Sequence, residues 1–213
     1  MTTLILIRHG YSTSNASGCY TGQLDAPLDS VGYEQATQLA DYLCQNLHID
    51  ALYASDLSRA VETLRPTAER LGLPLHTDAA LRELDVGKWT GVPYERVKEL
   101  YPEDFARYQS DVTAPCTGGE SATDACHRIL KAMRRILHEQ DGKTVAVCSH
   151  ALACRLFACL ADGLAIEQVK AYTAPPNASF AIYEFENDTL TARVTQYTKH
   201  LERITQMRKL GFV

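Results

Sequence analysis

At 213 residues the chain is long enough for one domain with a sizeable core, and 46% hydrophobic and 22% charged residues with 12 Gly and 8 Pro exclude disorder, collagen and coiled coil. A formal net charge of -5 argues against broad binding to nucleic acid or anionic membrane, which need a basic surface, yet it permits one local basic pocket. Seven cysteines without a C-x-x-C pair suit reduced, mostly buried thiols rather than disulfides or a zinc knuckle, and the apolar run Leu4–Ile7 is too short for a signal-peptide core, so a cytoplasmic protein is expected.

Leu4-Ile5-Leu6-Ile7 reads as a strand buried on both faces, delivering Arg8-His9-Gly10 at its carboxyl end. Apolar residues from Val31 to Leu47 recur at helical spacing, with Asp29 or Ser30 placed to cap the first turn. Ala51–Ala54 is a second short strand. Ser55-Asp56 offers a cap for a helix carrying Leu57, Ala60, Val61, Leu64, Ala68 and Leu71, which Pro66 should kink or split. A third strand is expected at Leu75–Thr77, then an ordered loop from Leu81 to Gly91. Residues 92–119, rich in Tyr, Pro and acidic side chains, suggest short helices and a lid over one end of the sheet.

Ser121-Ala122-Thr123-Asp124 has capping-box spacing and opens a helix. Thr144–Cys148 is the clearest central strand; it ends at Ser149-His150, and Ala151–Leu160 follows as a helix. Strands near Ser179–Phe185 and Leu190–Thr195 flank the turn signal Asn187-Asp188 and form an antiparallel hairpin. The alternation implies an α/β fold: a three-layer sandwich with a mostly parallel central sheet and helices on both faces, in a single domain over 1–213. Such sheets bind ligands at the carboxyl ends of their strands, where both Arg8-His9 and Ser149-His150 fall.

Gathered at one rim, Arg8, His9, Arg59 and His150 would bind a dianion. Arginine's planar fork matches phosphate oxygens two at a time and keeps its charge. A neutral imidazole beside such a pocket can attack phosphorus in line, giving a phosphohistidine that water hydrolyses, with Glu83 as proton donor to the leaving oxygen. No metal or cofactor is required, and His48, His76, His127, His138 and His200 show no ligand spacing. Trp89, Tyr94, Tyr101, Phe105 and Tyr108 are read as packing the lid onto its core rather than lining a pocket mouth. The tail Lys199–Val213 suits a basic amphipathic helix, at the surface or at a subunit contact in a homodimer, rather than a membrane anchor.

Leu6-Ile7-Arg8-His9-Gly10 with Asn15 resembles the signature of the histidine phosphatase superfamily, which contains cofactor-dependent phosphoglycerate mutases. Further segments resemble that family in order: Tyr20-Thr21-Gly22 with Leu28, Gly32, Gln35 and Ala36; Ser55–Ala60 with Thr63; Leu81–Gly91; Gly118-Gly119-Glu120-Ser121; and Cys148-Ser149-His150-Ala151. The resemblance spans roughly residues 3–185 and implies a phosphoglycerate mutase-like fold. It also implies His9 as phosphate-accepting nucleophile, Arg8, Arg59 and His150 as phosphate ligands, and Glu83 as proton donor and later acceptor. Asn15 would add a hydrogen bond, and Thr21 and Gly22 would lie against the substrate.

Tyr11 departs from the Glu or small polar residue usual in the family after the glycine, which bears on substrate preference rather than on phosphate chemistry. The family's mutases resemble longer chains with extra segments around the site. The expected activity is therefore a metal-independent phosphatase acting on a small phosphorylated metabolite. A phosphoglycerate mutase is the alternative. A non-catalytic phosphate-binding regulator ranks last, since it would lack the nucleophile or the acid and both are present here.

Overall fold

A computed structural model describes residues 1–202. Strand and helix alternate as β1 (Thr2–Arg8), α1 (Thr13–Ser17), α2 (Ser30–Asn46), β2 (Ala51–Ala54), α3 (Ser58–Leu71), β3 (Leu75–Thr77), α4 (Tyr94–Leu100), α5 (Pro102–Ser110), α6 (Ala122–Glu139), β4 (Thr144–Ser149), α7 (Ala151–Ala161), β5 (Phe180–Glu186) and β6 (Thr189–Tyr197). The sheet order is β3-β2-β4-β1-β5-β6. The first four strands run parallel to one another, and β5 and β6 continue the sheet antiparallel. Asn187 and Asp188 both take positive φ, 50° and 60°, in the two-residue turn between β5 and β6.

The alternation of side chains along β1 separates two cores. Leu4 and Leu6 pack with Val145, Val147 and the buried faces of α6 and α7, whereas Ile5 and Ile7 pack with Ala146, Cys148 and the buried faces of α2 and α3. A strand with apolar side chains on both faces must be covered on both, which gives three layers. The elements expected before the tail are present, with Asp29 capping α2 through the Gly32 N–H and Ser121 capping α6 through the Asp124 N–H. Residues 92–119 contribute the short helices α4 and α5.

At α3 the expected local cap is not used and the helix is not split. The helix begins at Ser58 with Leu57 as its uncapped flanking residue; Asp56 instead pairs with Arg82, and the Ser58 N–H donates to Asp25 Oδ1 at 2.7 Å. A carboxylate 33 residues earlier thus takes the place of a local cap. Nor does Pro66 split the helix, which continues to Leu71 because buried Thr63, Leu64, Thr67 and Ala68 hold the turns on either side. The tail expectation falls mostly outside the described residues; of it, Lys199–Leu201 form a single 3-10 turn.

Candidate active site

The register between β1 and β4 builds the centre of the site. Ile7 lies opposite Cys148 and Arg8 opposite Ser149, so the two strands end level, and the His9 N–H donates to the Ser149 carbonyl at 3.0 Å. The next residue of each strand is a histidine, and the rings of His9 and His150 lie 5.1 Å apart. The turn after His9 is fastened to α3 by the Gly10 N–H, which donates to Thr63 Oγ1 at 2.8 Å. It is fastened on the other side by Asn177, whose amide donates to the His9 carbonyl at 3.0 Å. Gly32 of α2 must be glycine for this turn to fit, because a Cβ there would come within 2.0 Å of the Tyr11 carbonyl oxygen.

His9 is 5% exposed, and its Nδ1 lies 2.7 Å from the Gly10 carbonyl oxygen. A carbonyl can only accept, so Nδ1 carries the hydrogen and Nε2 of the neutral ring keeps its lone pair. Burial pushes the His9 pKa well below the ordinary imidazole range, and the guanidinium groups of Arg59 and Arg8 push it the same way. His150 is 0% exposed and its pKa is lowered by the same burial and by Arg59. Neither of its ring nitrogens has a hydrogen-bond partner within the described residues.

The guanidinium groups are held by carbonyls rather than carboxylates. Arg59, 1% exposed, donates through Nη1 to the Leu24 carbonyl at 2.7 Å and through Nη2 to the Gly22 carbonyl at 2.9 Å. Arg8 donates to the Pro175 carbonyl at 2.5 Å, while its Nε is buried with no partner. Among the described residues neither is ion-paired, in contrast to Arg82 with Asp56 and Arg128 with Glu120. Two cations, Arg59 buried and Arg8 partly so, that have no carboxylate in ion-pair contact among the described residues, beside an imidazole with two unpartnered nitrogens, form a receptor for a compact dianion.

Glu83 reaches the same cavity from the loop after a 3-10 turn at Ala79–Leu81, its Oε1 accepting from the Leu84 N–H at 2.9 Å and its Oε2 from the Leu152 N–H at 3.4 Å. The loop is fixed by Arg128 of α6, which donates to the carbonyls of Ala80, Arg82 and Glu83 and pairs with Glu120. Asn15 sits at the third position of α1 in a reciprocal box with Ser12; its oxygen accepts from Ser12 and Asn177, which leaves its amide nitrogen to donate.

Arg8, His9, Asn15, Thr21, Gly22, Arg59 and Glu83 all line one cavity of about 300 Å³. His150, wholly buried, is not among its lining residues; its ring lies 5.1 Å from that of His9. Among the lining residues that the sequence reading did not assign to the site are Tyr94, Tyr108 and Arg155. Tyr94 and Tyr108 face the cavity, whereas Trp89, fully buried against Tyr20, Phe105 and Tyr108, packs as expected. Arg155 lines the wall with Ala151 and Leu152; helical arithmetic forward from His150, placing positions 151, 152 and 155 on one face of α7, was the available signal.

The buried imidazoles make stability depend on pH with a definite sign. Their folded pKa values lie below the unfolded value, so as pH falls the unfolded chain binds protons first. Stability is full above about pH 6.5 and falls below it, by up to about 1.4 kcal/mol per pH unit for each imidazole, until the folded values are reached. Denaturant unfolding between pH 8 and pH 5 in phosphate-free buffer checks this, and a flat profile would contradict burial of two neutral rings.

The sequence pattern of the histidine phosphatase superfamily (branch 1) matches residues 4–198. Phosphoserine phosphatase 1 of Hydrogenobacter thermophilus is 32% identical over 202 residues, covering 94% of this chain and 95% of that protein. The 2,3-bisphosphoglycerate-dependent phosphoglycerate mutase of Chelativorans sp. (strain BNC1) is 36% identical over 174 residues, covering 78% of this chain and 84% of its own. Among solved structures, Bacillus stearothermophilus YhfR superposes with a TM-score of 0.87 at 25% identity, covering 94% of this chain and 100% of its own. The phosphoglycerate mutase-like, three-layer architecture expected from the sequence is the one these proteins share with it.

Proposed function

The chain belongs to the histidine phosphatase superfamily, and from that membership and the geometry of the cavity we propose that it hydrolyses small phosphomonoesters through a phosphohistidine on His9. One observation carries the reading: a buried imidazole with its Nε2 lone pair free shares a cavity with two guanidinium groups that lack carboxylate partners and with a carboxyl group. Arg8 and Arg59 hold the phosphoryl oxygens, with the His150 ring 5.1 Å from that of His9. The His9 Nε2 lone pair forms a bond to phosphorus as the ester P–O bond breaks, and the leaving oxygen takes a proton from Glu83. Water then attacks the phosphohistidine, Glu83 accepts its proton, and inorganic phosphate leaves. Asn15 donates to a phosphoryl oxygen, and Thr21 and Gly22 flank the ester. Residues 92–119 act as the lid, bringing Tyr94 and Tyr108 to the cavity.

Hydrolysis rather than mutase chemistry predicts inorganic phosphate and glycerate in equal amounts from 3-phosphoglycerate, with no 2-phosphoglycerate; conversion to 2-phosphoglycerate that depends on a bisphosphate primer would establish the alternative. The acid role of Glu83 predicts a dependence on the leaving group. Glu83→Gln should slow release of an alkoxide by about 10²- to 10⁴-fold and slow release of 4-nitrophenolate, which needs little protonation, far less. Equal slowing of both esters would contradict it.

A further inference from the structure

One side chain outside the cavity holds two groups inside it. Asn177 lies in the segment that enters β5 and is not among the residues lining the cavity. Its amide nitrogen faces three acceptors: the His9 carbonyl at 3.0 Å, the Gly10 carbonyl at 3.3 Å and Asn15 Oδ1 at 3.2 Å. Three acceptors around one nitrogen fix which end of the amide points at them. The backbone on either side is committed to the same turn. The Pro175 carbonyl accepts from Arg8 at 2.5 Å, and the Ala178 N–H donates to the carbonyls of Arg8 and His9 at 3.0 and 3.1 Å. Ala178 makes those bonds from a φ of 57°, a conformation that a residue with a Cβ keeps only where its surroundings hold it. Here it is buried with Val31 and Leu201, and His200 donates to its carbonyl at 2.9 Å.

The Gly10 carbonyl decides which nitrogen of His9 keeps its lone pair. It accepts from the His9 Nδ1–H at 2.7 Å, which leaves the lone pair on Nε2, and Asn177 donates to the same oxygen. Asn15 Oδ1, the third acceptor, also takes the N–H and the hydroxyl of Ser12, so the donor end of the Asn15 amide is turned away from all of them. We propose that Asn177 is a positioning residue for phosphoryl transfer: with one amide it steadies the carbonyl that sets the His9 tautomer and the end of Asn15 that meets the phosphoryl group. This rests on the hydrolase reading and adds to it a residue 168 positions beyond the nucleophile. The turn keeps its bonds to Thr63 and to the Ala178 N–H when the Asn177 amide is removed, so what is lost is aim rather than fold. Aim matters because a displacement of about 1 Å at a reacting group costs on the order of 100-fold in rate.

Asn177→Ala should lower kcat/KM for 4-nitrophenyl phosphate by about 100-fold in a protein that circular dichroism shows to be fully folded at the assay temperature. On an Asn15→Ala background the same substitution should cost only about tenfold, because part of its effect passes through Asn15. A two-bond ¹H–¹⁵N spectrum of the imidazoles reads the tautomer directly, the His9 signals being those missing from His9→Ala. In the wild type His9 should show a protonated Nδ1 and an unprotonated Nε2, and in Asn177→Ala the two nitrogen resonances should move towards each other as the tautomers mix. A kcat/KM within about threefold of the wild type, losses that multiply in full when Asn15 and Asn177 are both removed, or an unchanged His9 spectrum would each overturn the proposal. Should Asn177→Ala fail to fold, Asn177→Asp keeps the shape and turns oxygens towards the three acceptors; it should lose at least as much turnover, and a loss under about threefold would overturn the proposal equally. The imidazole spectrum needs no substrate. A wild-type protein inert towards every ester, with a His9 spectrum that still responds to Asn177→Ala, would therefore count against the hydrolase reading and not against the placement of Asn177.

Discussion

His9→Ala is expected to lower kcat for 4-nitrophenyl phosphate by at least about 10⁴-fold, the scale on which removal of a covalent nucleophile acts. The size follows from the site having no substitute. His150, the nearest other imidazole, has its ring 5.1 Å from that of His9, is wholly buried and is not among the residues that line the cavity, and none of the seven cysteines lines it. Water attacking directly would need a base aligned on the far side of phosphorus from the leaving group, and among the described residues Glu83 is the one carboxyl group lining the cavity, already committed to the leaving oxygen in this reading. The variant should still fold, because the turn around His9 is held by backbone and neighbouring side chains: the Gly10 N–H on Thr63 and Asn177 on the His9 carbonyl. Its phosphate affinity should persist through Arg8 and Arg59. Rapid quenching of wild-type enzyme with labelled substrate should trap protein-bound phosphate that is stable in base and lost in acid, and His9→Ala should trap none. Retention of a tenth of wild-type turnover in the variant, or equal labelling of both proteins, would remove His9 from the covalent step.

The layers of the fold were legible in the sequence because the signals that specify them are local. The aliphatic runs Leu4–Ile7 and Val145–Cys148 can only be buried strands, and Asn187-Asp188 can take the positive φ its hairpin turn demands. The site followed from the same strands, since two runs ending in a polar cluster place those clusters side by side once the strands pair in parallel with level ends. What stayed hidden depends on contacts distant in sequence. No window around Ser58 could reveal that Asp25 accepts its N–H, or that Asp56 is taken by Arg82. Arg128 looked like one more charged position on an amphipathic helix, yet it holds three carbonyls of the loop that carries Glu83. Tyr94 and Tyr108 were read as lid packing because aromatic spacing reports burial and not which side of a helix meets a cavity; their neighbour Trp89, fully buried in the core, obeyed that reading.

Arg59→Met should show that the same side chain serves catalysis and burdens the fold. Losing a preorganised donor to the phosphoryl oxygens is expected to reduce kcat/KM by about 10²- to 10³-fold, with little dependence on the leaving group, which separates this variant from Glu83→Gln. The effect on stability has the opposite tendency to that of an ordinary buried residue. Arg59 is buried as a cation with only carbonyls for partners, and burial lowers its pKa, which is the signature of a charge held against its solvation. Methionine fills much of the same volume without that charge, and the carbonyls of Gly22 and Leu24 that lose their donors are the offsetting cost. In phosphate-free buffer the variant should therefore unfold within about 2 kcal/mol of the wild type in either direction. Adding inorganic phosphate discriminates: a ligand at 100 times its Kd stabilises the folded state by about 2.7 kcal/mol, so millimolar phosphate should raise the wild-type Tm and leave that of Arg59→Met nearly unmoved. Arg59→Lys should fall between, since one ammonium cannot reach both carbonyls and a phosphoryl oxygen at once. An Arg59→Met protein that phosphate stabilises as strongly as wild type would show that this guanidinium is a strut for the loop of Gly22 and Leu24 and takes no share of the anion.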